Sequence, residues 1–291
     1  MSYALTVAAA AAPRWKELRD AIALPDLRIV GDEPAQEEND AWPAGGLRLC
    51  RAGKSTRTTE VDWKQGNVEI VLRALASPDD CELALRVAEA TARLAGTATV
   101  ETDFFGTVGA GELRRFYGVD WMREQTDSGA QALATLIREG RGPLALPGPN
   151  RTCYIGARLF AELEAAGPPA ALSERVLATM RRVQWDVPAD FHDARVFVSG
   201  GGGNGHGRET HFAVWLPGQS LLFPLVDYVA LRVTEGEVFM VPFAAVPELA
   251  GAHATLLDEV QLLVRAIDGD DWTALIERAR PLAIRSPRPA K

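Results

Sequence analysis

The residues best suited to chemistry lie in one glycine-rich stretch of the C-terminal third. Glycines fill positions 200–203, and the alternating segment 204–208 follows directly. Glycine backbone can present amide groups to an anion, and imidazole and guanidinium side chains could add positive charge. A flexible connection between two strands explains the same composition, since glycine costs most to order. The ligand-binding candidates of this segment are Gly203, Gly205, His206, Arg208 and His211.

The histidines also raise the question of a metal site. His206 and His211 are five residues apart, and His192 and Asp193 begin the preceding predicted strand. Neutral imidazoles and a carboxylate would suit zinc if the strands paired appropriately. This spacing matches no short metal-binding motif, so we expect ordinary surface or half-buried histidines, no metal and no cofactor.

A cysteine and an arginine mark a second candidate region. Cys153 is predicted at the start of a helix, where a thiolate would be stabilised. Nucleophilic catalysis also needs a base within reach, which the sequence does not place there. We therefore expect an inert, partly buried thiol and predict no catalytic residue. Arg151 ends the preceding proline- and glycine-rich turn and joins the ligand candidates, although it could equally pair with a carboxylate.

The segment Gly53-Lys54-Ser55-Thr56 imitates the end of a phosphate-binding P-loop. That motif needs a glycine five positions earlier and a helix directly after the serine. Position 48 is arginine, and the residues after Thr56 have the character of a strand. We predict a hairpin turn with an exposed lysine.

The charge of the chain indicates which classes of macromolecule it could bind. The 291 residues carry a net charge of −8, and the basic residues are scattered, which argues against nucleic-acid binding. The segment Asp32–Gly46 is an acidic loop with two prolines. An acidic surface attracts basic proteins. The candidate partner-binding residues are Glu33, Glu37, Glu38 and Asp40.

The cysteine and lysine counts suggest a setting for the protein. Three dispersed cysteines without redox or metal spacing indicate a reducing, cytoplasmic compartment. Only four of the 31 basic residues are lysines, a bias typical of GC-rich bacterial genomes. No basic residue precedes Arg14, so we expect a first strand there and not a secretory signal. No apolar run reaches the roughly 18 residues of a membrane span.

Hydrophobic periodicity predicts the elements that would position these residues. The N-terminal part has the order β-α-β, meander, α-β, which resembles an elaborated ferredoxin-type sandwich. Its clearest element is a helix over 77–96, with Ser77 as N-cap, Pro78 at the first position and Gly96 at its end. An alanine stripe on this helix, which includes Cys81, predicts close packing on a sheet.

The remainder of the chain is predicted as two further parts. Residues 109–189 form a helical connector, with helices at 112–117, 128–139, 155–166 and 172–184 around a loop at 140–151. The last part is an antiparallel β-meander, with strands at 194–199, 210–216, 221–233 and 238–242. Helices at 254–266 and 271–283 close it. The predicted class is α+β with domains 1–108, 109–189 and 190–291.

These observations favour a binding role over catalysis. We predict a non-catalytic bacterial protein-binding protein of the adaptor, inhibitor or toxin-neutralising immunity type, which meets another, basic protein through an acidic surface. The alternative is an enzyme or a small-ligand or anion binder centred on the loop 200–208. No motif identifies a family.

Overall fold

The computed structural model describes residues 2–31, 42–43, 45–199, 209–234 and 237–284. The chain divides into two compact units, residues 1–186 and 187–291. Both units combine helices with largely antiparallel sheets, which confirms the α+β class. The ferredoxin-like arrangement is not confirmed, and the three predicted domain boundaries stay a prediction.

A seven-stranded antiparallel sheet forms the centre of the first unit, with the strand order β2-β3-β4-β5-β1-β6-β7. Alternating side chains of its central strands are buried, as expected for a sheet covered by helices. The strands are β1 (Ser2–Ala8), β2 (Leu27–Ile29), β3 (Leu47–Arg51), β4 (Thr59–Lys64), β5 (Asn67–Arg73), β6 (Thr99–Thr102) and β7 (Gly106–Gly109).

The first half contains the helices α1 (Trp15–Ile22) and α2 (Pro78–Ala95). Helix α2 packs on the sheet, and α1 packs on α2. The prediction for α2 is confirmed. The Ser77 hydroxyl accepts the backbone N–H of Asp80, and the Asp80 carboxylate accepts the backbone N–H of Ser77. Gly96 ends the helix in the left-handed conformation. Cys81 and the alanines of the stripe up to Ala92 are buried in the core, whereas Ala95 at the end of the helix is exposed.

The rest of the first unit is a helical layer with one hairpin. The helices are α3 (Leu113–Phe116), α4 (Val119–Arg138), α5 (Ala157–Ala165) and α6 (Leu172–Trp185), and the last three pack on one another. The predicted helix 155–166 is confirmed as α5, which begins two residues later, whereas the prediction of a loop throughout 140–151 was wrong. Strands β8 (Leu144–Pro147) and β9 (Thr152–Ile155) pair there, and the buried Gln184 side chain binds the backbone of their turn.

The second unit contains two four-stranded sheets, with orders β10-β13-β17-β16 and β11-β12-β14-β15. Two of its strand pairs, β10 with β13 and β12 with β14, are parallel, so the predicted purely antiparallel meander was wrong. The strands are β10 (His192–Asp193), β11 (Val196–Ser199), β12 (Thr210–Trp215), β13 (Leu221–Phe223), β14 (Tyr228–Thr234), β15 (Glu237–Pro242), β16 (Ala254–Leu256) and β17 (Leu262–Val264).

Two further predictions for this unit were wrong. The expected single strand 221–233 is interrupted by residues 224–227 and contributes β13 and β14 to different sheets. The expected helix 254–266 is the hairpin of β16 and β17, whose turn is fixed by Asp258 accepting the N–H groups of Val260 and Gln261. The described α-helices of the second unit are α7 (Val246–Ala250) and α8 (Gly269–Ala279). The face of α8 that carries Trp272 and Leu275 is buried, as predicted.

Candidate functional site

The most prominent exposed apolar feature of the first unit is a group of six aromatic rings beside the β6–β7 hairpin. Phe104 and Phe105, in the hairpin turn, are 49% and 38% exposed. Large aromatic side chains in a turn are unusual, because turns are normally built from small and polar residues. The group, called here the aromatic patch, consists of Tyr3, Phe104, Phe105, Phe116, Tyr117 and Trp121.

Local hydrogen bonds hold the turn in shape. The Thr102 hydroxyl accepts the N–H of Phe105 and donates to the carbonyl of Gly106, both at 3.0 Å. The neighbouring Asp103 carboxylate accepts the N–H of Ala4 from β1 at 2.8 Å. Gly106 has a φ of +64°, which glycine adopts without strain. The two exposed rings are therefore presented by a fixed backbone.

Buried rings support the exposed ones from below. Tyr117 is buried, and its ring centroid lies 4.6 Å from that of Trp121 and 5.2 Å from that of Phe105. Phe105 also lies 5.2 Å from Phe116. Burial raises the pKa of the Tyr117 hydroxyl. Edge-to-face packing of this kind adds about 0.5 to 1.5 kcal/mol per pair, so the patch is a preformed surface.

Charged residues border the patch. Asp103 precedes Phe104 and Asp120 precedes Trp121 in the chain, and both are exposed. Asp120 lies 3.8 Å from Arg123, a separation typical of a weak, solvated pair. Arg114 is held by Glu82 and Glu89 of α2. Two exposed carboxylates, those of Asp103 and Asp120, are thus next to Phe104 and Trp121 in the chain.

The predicted ligand residues divide between the two units. Arg151 lies in the turn of the β8–β9 hairpin, where its Nη1 donates to the carbonyl of Val183 at 2.9 Å. His211 lies on β12 of the second unit. Four predicted ligand residues (Gly203, Gly205, His206, Arg208) and the four predicted partner residues (Glu33, Glu37, Glu38, Asp40) lie outside the described residues.

A cavity of about 390 Å³ lies beside His211, lined by Glu209, His211, Leu225, Val226 and Asp227. The backbone N–H of His211 donates to Asp227 Oδ2 at 2.9 Å, and its Nδ1 is 3.9 Å from the same oxygen. Two carboxylates line this cavity. Among the described residues, the surroundings of His211 therefore favour a cation over the anion that we expected from the sequence.

Within the described parts of the chain, no group of three or more histidine, cysteine, aspartate or glutamate side chains could hold a metal ion. Among the described helices, none is long and apolar enough to cross a membrane.

The segment that imitates a P-loop is a turn followed by buried backbone. Gly53 has a φ of +75°, and the Lys54 ammonium lies 2.9 Å from Asp26, which agrees with the predicted hairpin turn. Ser55 and the residues up to Thr59 are buried and lead into β4, not into a helix. No helix N-terminus follows the lysine, so this segment does not form the anion cradle of a P-loop.

Sequence reasoning missed a polar centre in the core of the first unit. Asp80 Oδ2 accepts hydrogen bonds from the N–H groups of Thr56, Arg57 and Ser77 and from the hydroxyls of Thr56 and Ser77. Burial raises the pKa of Asp80, while these donors oppose the increase. Arg57 is buried nearby, and its Nε and Nη1 lack a hydrogen-bond partner among the described residues. No regular spacing links positions 56 and 80, so only the fold reveals the centre.

All three cysteines are buried and unpaired with one another. Cys153 lies on β9 and not at a helix start, which corrects the predicted setting for a stabilised thiolate. Burial raises the pKa of Cys50 and of Cys81 to about 12. At neutral pH these two side chains are protonated thiols with little nucleophilic character.

No family model matches this chain, and searches of curated proteins and of solved structures return no significant match.

Proposed function

We propose that this chain is a non-catalytic protein-binding protein, and that the aromatic patch is its principal contact surface for a basic partner. The observation that carries the proposal is the exposure of Phe104 and Phe105 on a fixed hairpin above buried rings. Aromatic residues are enriched at the energetic centres of protein interfaces, where rigid side chains lose little entropy on binding.

The exposed rings offer substantial binding energy. Phenylalanine side chains bury about 150 to 250 Å² each when fully covered. Covering the exposed parts of Phe104 and Phe105 would remove on the order of 170 Å² from water, worth about 4 kcal/mol at 25 cal/mol per Å². Association costs must be subtracted from this figure. The patch is therefore suited to be the apolar centre of a larger contact.

Charge supports a basic partner. The chain carries a net charge of −8, and Asp103 and Asp120 flank two of the patch rings. Aromatic faces also attract lysine and arginine side chains. The acidic residues Glu33, Glu37, Glu38 and Asp40 would add long-range attraction in this proposal. The role is that of an adaptor, inhibitor or toxin-neutralising immunity protein in the bacterial cytoplasm, a compartment that suits three reduced cysteines.

The test combines capture with a matched control. The full chain, the double variant F104S/F105S and the control L94S serve as baits in extract of the source organism. Leu94 is 40% exposed on α2, so L94S removes a similar apolar side chain at a position outside the patch. Far-UV circular dichroism and thermal melting first establish that all three chains are folded.

We expect the wild type and L94S to retain the same basic protein and F104S/F105S to lose it. The purified pair should then bind in calorimetry, with an affinity that falls as salt screens the charges. Removal of residues 33–40 should lower the association rate. Equal binding by F104S/F105S, or binding that is indifferent to salt and to this deletion, would contradict the proposal.

The cavity beside His211 supports a second candidate, a small-ligand binder or enzyme whose site is this cavity. Its carboxylates at Glu209 and Asp227 favour a small organic cation. A ligand that binds only the native state raises stability by about 2.7 kcal/mol at a hundredfold excess over its dissociation constant. Thermal stabilisation by diamines or polyamines that is lost in D227N would support this candidate. An unchanged melting temperature with all of them would exclude it.

A further inference from the structure

The two edges of one sheet in the second unit differ in how they are protected. In the order β11-β12-β14-β15, β11 and β15 are the outer strands. An outer strand presents unpaired backbone N–H and C=O groups and can template pairing with another strand. Proteins block such edges with charges, prolines, bulges or covering segments.

The β15 edge carries several of these protections. Its first residue, Glu237, forms an ion pair with Arg280 at 3.1 Å. The pairing of β14 with β15 shifts register between Arg232 and Thr234. Met240 is also bridged by Ile284, whose N–H donates to the Met240 carbonyl at 2.9 Å. Charge, irregular pairing and a covering residue therefore all obstruct a further strand at this edge.

The β11 edge carries none of these protections in the described part of the chain. Val196, Phe197 and Val198 are exposed apolar residues in succession, and Val198 is 55% exposed. The register of β11 with β12 runs from Val196 to Ser199 without a shift. The nearest charge along the chain is Arg195, just before the strand, whose guanidinium lies over the Phe197 ring.

We propose that β11 pairs antiparallel with β11 of a second copy of this chain, so that two four-stranded sheets join into one of eight strands. A twofold antiparallel contact pairs the same segment of both copies, and the segment Val-Phe-Val about Phe197 is apolar throughout. A register centred on Phe197 places Val196 of each copy opposite Val198 of the other. Arg195 then faces Ser199, so no like charges are opposed.

The arrangement of rings supports the same register. Phe197 stacks on Phe212 with centroids 5.4 Å apart and planes at 18°. Phe212 is paired in turn with Tyr228 of β14, so these three residues follow one row across the sheet. Directly opposed residues of an antiparallel pair share a face. Phe197 of the second copy would extend this row, and the pairing would cover apolar side chains that are now exposed.

The test compares the two edges of the same sheet. Val238 on β15 is 56% exposed, so Val238→Lys is a matched control for Val198→Lys on β11. Sedimentation of the full chain over a wide concentration range should show a reversible dimer for the wild type and for V238K. V198K should weaken this dimer by about tenfold or more, since it buries a charge at the junction.

A second variant keeps the test decisive if V198K folds poorly. The natural cysteines are buried, so Phe197→Cys adds the single exposed thiol of the described residues at the proposed twofold axis. Mild oxidation should convert F197C, but not V238C, into a covalent dimer. A wild-type chain that stays monomeric at every concentration, a V198K chain that dimerises normally, or F197C that does not cross-link would each overturn the proposal.

Discussion

Asp80 at the start of α2 binds Thr56 in the segment before β4 through two hydrogen bonds. Its Oδ2 accepts the Thr56 N–H at 3.1 Å and the Thr56 hydroxyl at 3.0 Å. The same oxygen completes the capping box of the helix. One buried carboxylate thereby joins a helix cap to the strand connection that lies against it.

Asp80→Ala should destabilise the first unit by about 3 to 5 kcal/mol, because several buried donors lose their acceptor at once. Asp80→Asn should cost less, since the amide oxygen can occupy the position of Oδ2. Urea unfolding measures both changes. Asp79→Ala is the control, because Asp79 is partly exposed and forms an ion pair with Arg51. Equal losses for D79A and D80A would contradict this account.

A fall in pH should lower the unfolding free energy of the first unit, partly because Asp26 becomes protonated. Burial alone would raise the pKa of Asp26, but hydrogen bonds and charges from Arg51 and Lys54 outweigh it and lower the pKa below 3.8. A carboxyl with a lowered folded pKa contributes stability above its unfolded pKa, and this stability is lost as pH falls through the folded pKa. Asp26→Asn should therefore reduce the loss of stability below about pH 4.

The contribution of Asp80 to the unfolding free energy should change with pH in the opposite direction, because the pKa of Asp80 is raised in the folded state. Its linkage contribution is fully present below the unfolded pKa and is lost as pH rises through the folded pKa. Unfolding free energies of the wild type, D26N and D80N between about pH 2.5 and pH 7 separate the two contributions. A wild-type and D26N chain with identical acid profiles would show that the Asp26 ion pairs are not formed.

The three cysteines should be unreactive in the native protein. All are buried, and the pKa of Cys50 and of Cys81 is about 12. A thiol-specific chromogenic reagent at pH 8 should label none rapidly in buffer and all three in denaturant. Rapid labelling in buffer would show that a cysteine is accessible. Single serine variants would then identify it.

Gln184 should be essential for the β8–β9 hairpin. Its buried side chain accepts the N–H groups of Asn150 and Arg151 and donates to the Arg151 carbonyl at 2.8 Å. Gln184→Ala should cost about 2 to 4 kcal/mol, because three backbone groups lose their partner. Gly148→Ala should also destabilise the protein, since a Cβ there would overlap the Gln184 amide.

The control for these two variants is Gln131→Ala on α4, where the side chain is exposed. It should change the unfolding free energy by less than about 0.5 kcal/mol. Hydrogen exchange should show faster opening at residues 144–155 in Q184A and not in Q131A. Unchanged protection of this hairpin in Q184A would contradict the role assigned to Gln184.

Sequence reasoning succeeded where the stabilising contacts are local. The helix α2 was predicted with its cap and its end, because Ser77, Asp80 and Gly96 act within a few residues of the positions that they stabilise. The hairpins of the first sheet follow from alternation and glycine turns in the same way. By contrast, the apolar spacing within 254–266 suits a helix, whereas its residues pair as β16 and β17.

The candidate sites were less accessible to sequence analysis. Arg151 and His211 were grouped by residue type, but they belong to different units. Phe104 and Phe105 were overlooked, although two aromatic residues before a turn glycine are a detectable signal. Their exposure depends on the buried ring of Tyr117 and the partly buried ring of Trp121, which follow more than ten residues later. Arg57 and Asp80 meet through the packing of a loop on a helix end.

The sequence by itself determined the α+β class, the capped helix, the first meander and the acidic charge of this protein. The tertiary structure decided the two sheets of the second unit, the β8–β9 hairpin, the exposure of the aromatic patch and the outer position of β11 in its sheet. The physical reason is the range of the interactions. Caps, turns and periodicity act between neighbours in the chain. Strand order and side-chain exposure depend on partners that are distant in sequence, and only the folded chain selects among them.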